Sequence, residues 1–200
     1  MELADAIRLR RMVRTYTDEP VDADVVRTAL EHAIRAPSAG FTQGWAFLLL
    51  DRPADVRRFW SATTPDDGSA PSRWLAGMSR APVVIVSLSC KAAYLDRYAE
   101  PDKGWSDRNE ARWAAPYWDI DTGMAALLIL LTVVDKGLGA CFFGLPPDRI
   151  DAFRRAFGVP DDQHPVGAIT IGHPAPDEVG GSTRTRKRRT TADVVHRGQW

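Results

Sequence analysis

The feature that most constrains the fold is a stretch from Trp118 to Lys136 with apolar residues at almost every helical position. Ile120, Met124, Leu127, Leu128, Ile129, Leu130, Leu131, Val133 and Val134 leave no polar face. Such a helix has to be covered on all sides. The chain has 200 residues, enough for one domain with a sizeable core. A domain of that size rarely encloses one helix completely, so a second copy of the chain is expected to cover one face. The longest apolar run, around Met124 to Val134, falls short of the about 20 residues that a bilayer span needs.

Charge narrows the classes of partner. Lys and Arg number 26, Asp and Glu number 26, and the formal net charge is zero. Nothing in that balance points to nucleic acid or to a membrane surface. Cys90 and Cys141 lie far apart in apolar runs, without metal-ligand spacing, and read as reduced core thiols. That usage suits a reducing cytoplasm. Met1-Glu2-Leu3-Ala4-Asp5 lacks the long apolar stretch of a signal peptide. No glycine-rich dinucleotide fingerprint and no Walker motif is present.

The remaining elements follow from periodicity and breakers. Glu2 to Met12 reads as a helix, and Asp22 opens a second that runs to about Arg35, with aspartates in its first turn. Trp45 to Leu50 is a short buried strand. Pro53 to Trp60 is a helix and Thr63 to Ser72 a loop. Pro82 to Leu88 is a β-branched strand buried on both faces. Gly137-Leu138-Gly139 caps the long helix, Ala140 to Gly144 is extended, Pro146 to Phe157 is a helix, and Pro165 to Ile171 is a strand. Strands and helices do not alternate, so the class is α+β. Residues 91–118 carry Tyr94, Tyr98, Trp105, Trp113, Tyr117 and Trp118 among many charges, with weak periodicity. They read as a surface excursion rather than core.

Two arginine clusters stand near the ends of the chain: Arg8, Arg10, Arg11 and Arg14, then Arg184, Arg186, Arg188 and Arg189. In a helix Arg10 and Arg14 share a face, and in an extended strand Arg186 and Arg188 share a side. Guanidinium forks at both ends fit one anion held between them, a phosphate best of all. Taken singly, each cluster also fits a solvated helix end or a frayed basic tail. Between them, Ala36-Pro37-Ser38-Ala39-Gly40-Phe41-Thr42-Gln43-Gly44-Trp45 joins a helix to a strand. Ser38 offers a hydroxyl and Gln43 an amide at a sheet edge; the plain alternative is a helix-stop turn.

The order of these pieces resembles the nitroreductase (NAD(P)H:flavin oxidoreductase-like) superfamily. The likeness runs from Arg-Arg-x-Val-Arg through Ala-Pro-Ser-x-Gly-x-x-Gln-x-Trp and Gly137-Leu138-Gly139-Ala140-Cys141 to the basic stretch before Val194-Val195-His196. The resemblance implies one domain over residues 1–200, a mostly antiparallel central sheet flanked by helices, and an intertwined homodimer with FMN at the subunit interface. It places Arg10, Arg11, Met12 and Arg14, with Arg186 and Arg188, at the FMN phosphate and ribityl chain. It places Pro37, Ser38, Ala39 and Gln43 of the other subunit beside the flavin, and Phe142, Phe143 and Gly144 along its ring. Residues 91–118 become a lid over the acceptor pocket.

The chain departs from the family pattern at Met12, Phe41, Gly44 and Thr190, where small polar, Asn, Pro and Pro residues are usual. A clamp of charge-assisted bonds at about 1.5–3 kcal/mol each outweighs one missing neutral bond of about 1 kcal/mol. No catalytic His, Cys or carboxylate dyad is expected, and no metal. The implied activity passes electrons from NADH or NADPH through the flavin to a small electron-poor acceptor, a nitroaromatic or a quinone, in ping-pong fashion. A flavin-cleaving enzyme of the dimethylbenzimidazole-synthase type, a deazaflavin-dependent reductase and a non-catalytic flavin-binding protein are the alternatives.

Overall fold

A computed structural model describes residues 1–65, 70–176 and 185–200. Its helices are α1 (Leu3–Leu9), α2 (Ala23–Ala33), α3 (Pro53–Thr63), α4 (Arg73–Met78), α5 (Lys91–Ala99), α6 (Tyr117–Asp135) and α7 (Ile150–Phe157). Its strands are β1 (Trp45–Leu50), β2 (Val83–Ser89), β3 (Gly139–Phe143) and β4 (His164–Gly172), in the order β1-β2-β4-β3. Every neighbouring pair is antiparallel.

All seven residues of β2 are buried, because helices cover both faces of the sheet. On one face Ile85 and Ile169 pack with Ala29 of α2 and Ala125, Ile129 and Val133 of α6. On the other, Val84, Val86 and Ala168 pack with Phe59 of α3, Met78 of α4 and Phe153 of α7. The two sets alternate along each strand, as the two-residue period of a pleated strand demands. This is an α+β architecture of three layers.

By length and composition α6 passes for a membrane span. In the fold it is an inner helix, packed on α1, α2 and the sheet. One stripe stays uncovered within the chain. Tyr117, Ile120 and Leu127 are 41, 42 and 47% exposed, and Met124, Leu131 and Val134 on the same stripe are half-buried. Their alternating spacing of three and four residues draws a straight apolar seam along the helix.

Three segments differ from the sequence reading. The first helix stops at Leu9 rather than Met12, with Arg10 already out of helical geometry at ψ 121°. Tertiary pairing overrides helix propensity there. Met12 bridges Ala140 of β3, the Val13 amide donates to the Ala140 carbonyl at 3.0 Å, and Tyr16 is fully buried. Arg10 and Arg14 therefore share no helical face; they stand on an edge segment beside β3. Second, α4 was not foreseen, and Ser72 caps it by accepting from the Leu75 amide at 3.2 Å. Third, residues 91–118 are not a loose excursion. They hold α5 and an aromatic cluster centred on Trp113, whose ring meets Tyr94, Tyr98, Trp105, Tyr117 and Trp118 at 4.5–6.0 Å between centroids. Weak helical periodicity hid a small satellite core built from rings rather than from a stripe.

Candidate functional site

The edge segment after α1 brings Arg14 to a cavity of about 230 Å³ shared with Thr15, Arg73 and Trp74. Arg14 is half-buried and its Nη1 donates to the Met12 carbonyl at 3.2 Å. Two guanidinium groups, those of Arg14 and Arg73, line this cavity and give it a cationic character. The approach of α4 to the arginine segment depends on Gly77. A Cβ there would lie 2.3 Å from the Arg14 carbonyl oxygen. Arg73 was missed from the sequence because α4 was missed.

Trp74 also lines an adjoining cavity of about 210 Å³, together with Trp60, Phe143, Gly144 and Leu145. Its wall is aromatic. Trp60 stacks on Phe143 with centroids 5.6 Å apart and planes 6° from parallel, and Trp74 meets Phe143 edge-on at 5.5 Å. Trp60 is 9% exposed, and its Nε1 is buried with no acceptor among the described residues. A buried donor left without an acceptor costs on the order of 1–3 kcal/mol. The sheet separates Phe142 from Phe143. Phe142 packs with the α2–α6 core, where its amide approaches Met12 Sδ at 3.4 Å, and Phe143 packs with the α3–α7 core. Of the three residues expected along a flavin ring, Phe143 and Gly144 line this cleft and Phe142 stands across the strand.

The turn between α2 and β1 is built under strain. Gly40, Phe41 and Gln43 have φ of 62, 55 and 53°. Left-handed backbone in a non-glycine residue costs on the order of 1–3 kcal/mol and persists only where neighbours hold it. Within the turn, Ser38 Oγ accepts from the Gln43 amide at 3.0 Å, and Thr42 Oγ1 donates to the Ala39 carbonyl at 2.6 Å. From outside, Asp121 Oδ2 of α6 accepts from the Ala39 amide and from the Tyr94 hydroxyl, each at 2.8 Å. Arg97 Nε donates to the Gly40 carbonyl at 3.0 Å, while Asp102 grips the same guanidinium with two bonds of 2.7 Å. Asp121 is 2% exposed and Tyr94 fully buried. Burial, then the adjacent Asp121 carboxylate, push the Tyr94 phenol well above its usual range, against a smaller opposing effect of the Gly44 backbone, so it stays a donor. Gly44, where the family pattern has proline, makes room for that ring: a Cβ would sit 2.5 Å from Tyr94 Cε2. Asp121 was legible as a carboxylate near the start of an apolar helix, a residue type almost never fully buried unless paired.

The arginine edge and the turn lie on opposite sides of the sheet. The turn leads into β1 and the arginine segment flanks β3, with β2 and β4 between. At about 4.8 Å per strand, β1 and β3 are roughly 14 Å apart. Arg10 is half-buried and Arg11 exposed. Arg186 and Arg188 are exposed on the C-terminal tail and line neither cavity. Arg184 lies outside the described residues. His32 is exposed on α2 and shares a 2.8 Å hydrogen bond with Thr132 of α6.

The arrangement can hold an elongated ligand with an anionic end and a flat apolar end. The model of the nitroreductase family matches residues 7–173 of the chain. A Methanothermobacter thermautotrophicus protein, named as a candidate NADH dehydrogenase/NAD(P)H nitroreductase, is 28% identical over 177 residues, 88% of this chain and 78% of its own length. The NADH dehydrogenase of Thermus thermophilus is 30% identical, covering 83% of each chain. A nitroreductase-type protein from Desulfovibrio desulfuricans, solved in complex with FMN, superposes with a TM-score of 0.72 at 25% identity, over 100% of this chain and 98% of that one.

Proposed function

Because the chain belongs to the nitroreductase family, we propose that it is an FMN-dependent oxidoreductase that moves electrons from NADH or NADPH to a small electron-poor acceptor. The observation that carries this reading is the paired cavity, with Arg14 and Arg73 at one end and Trp60, Trp74, Phe143 and Gly144 at the other. The fit is chemical: the cationic end suits a phosphate, the aromatic wall a planar ring, and the orphaned Trp60 Nε1 an acceptor that the ring edge can supply. When bound, the flavin supplies the hydride chemistry. The chain's own part is placement. Arg14 and Arg73 hold the anion, joined by Arg186 and Arg188 of the exposed tail, while Trp74 and Phe143 exclude water and fix the ring.

The reading includes a homodimer. The α6 seam leaves apolar side chains uncovered, and a second copy lets the turn of one chain meet the arginine edge of the other across the interface. Leu127→Glu, which sets a carboxylate in that seam, is expected to yield a monomer by light scattering at micromolar concentration, where the unaltered chain runs as a dimer.

The absorbance spectrum of the purified protein tests the activity. A yellow protein bleached by NADH or NADPH, then recoloured by a nitroaromatic or quinone, is the expected result. A colourless protein that consumes added reduced flavin would assign it to flavin cleavage. A yellow protein unchanged by either nucleotide would make it a binding protein.

A further inference from the structure

We infer that Asp121 and Tyr94 are the positioning residues that hold the 38–44 turn in the shape that meets the flavin; the inference rests on the proposed function. The turn is strained at Phe41 and Gln43, yet Phe41 is 77% exposed and contributes nothing to its own core. Strained backbone with an exposed aromatic is held for a contact outside the chain. The buried Asp121 Oδ2 receives both the Ala39 amide and the Tyr94 hydroxyl, and so ties the turn to α5 and α6 at once. Gly44 and Tyr94 work as a pair. A proline at position 44 would stiffen the turn covalently. Here a bare glycine admits the Tyr94 ring, and packing with one hydrogen bond does the stiffening instead. Neither Asp121 nor Tyr94 lines the cleft at the arginine edge, so they act through the turn and not on the flavin itself.

Tyr94→Phe keeps the ring against Gly44 and removes one hydrogen bond; Asp121→Asn keeps an acceptor for one donor. Each is measured for FMN affinity, for acceptor turnover, and for hydrogen exchange at the Ala39 amide. The expected result is exchange at Ala39 faster by tenfold or more, and kcat/KM for a quinone acceptor lower by about 5- to 20-fold. FMN affinity should change less than threefold, because the phosphate is held at the other edge. The Asp121→Asn effect should be the larger on Ala39 exchange, since Tyr94→Phe leaves the Ala39–Asp121 bond itself in place while Asn replaces the carboxylate with a weaker, neutral acceptor. Faster exchange with unaltered turnover in both variants would overturn this inference and leave the proposed function standing. Unaltered exchange in both would overturn the anchoring itself. An unaltered chain that takes up no FMN would overturn the functional reading and this inference together.

Discussion

Arg14→Ala is expected to weaken FMN binding about 10- to 100-fold, read by titration of flavin fluorescence against the apoprotein. A hydrogen bond to a charged group contributes about 1.5–3 kcal/mol, and each 1.4 kcal/mol is a factor of ten. Arg73→Ala should have an effect of the same order, since it shares the cavity with Arg14. The double variant should fall short of the product of the two, because adjacent groups on one anion couple. Thermal stability of the apoprotein should change little: neither side chain belongs to either core cluster. Full retention of flavin through dialysis in the Arg14 variant would remove that residue from the clamp. The same titration on Arg188→Ala tests whether the exposed tail reaches the phosphate.

The second large effect concerns stability. Trp113→Ala should lower stability by about 3 kcal/mol, at the low end of the range for deleting a large aromatic because the residue is only half-buried. For a domain of this size that corresponds to roughly 6–12 °C in Tm. Trp113 is the one ring that touches all five others of the cluster, so its loss opens contacts to Tyr94 and Trp118, which brace α5 against α6. Trp105→Ala should cost less, since Trp105 meets only Tyr98 and Trp113 among the rings. A lid that shapes the acceptor pocket without bearing stability would give the opposite pattern: unchanged Tm in both variants and unequal losses among acceptors. Calorimetry with a panel of nitroaromatic and quinone acceptors separates the two.

Period and composition settled a good deal of this protein. The all-round apolar pattern of 118–136 marked a helix buried between layers, and its uncovered seam is where a one-chain domain runs out of core. The β-branched run at 82–88 marked a strand buried on both faces. The order of the arginine, Pro-Ser and Gly-Leu-Gly motifs marked the family. These are signals that local periodicity or steric punctuation writes directly into neighbouring residues.

Only the tertiary structure decided the rest, because it depends on contacts between residues distant in sequence. The arginines after Leu9 leave the helix since Val13 finds the Ala140 carbonyl, 127 positions away, and no local propensity records that pairing. Arg73 enters the site because Gly77 lets α4 lie on the backbone of Arg14. Phe142 and Phe143, adjacent in sequence, part to opposite faces because a strand alternates. Asp121 stands out in the sequence as a polar residue inside an apolar helix. What it does was fixed by where α5 and the 38–44 turn converge, since a buried carboxylate takes its role from the donors the fold brings to it.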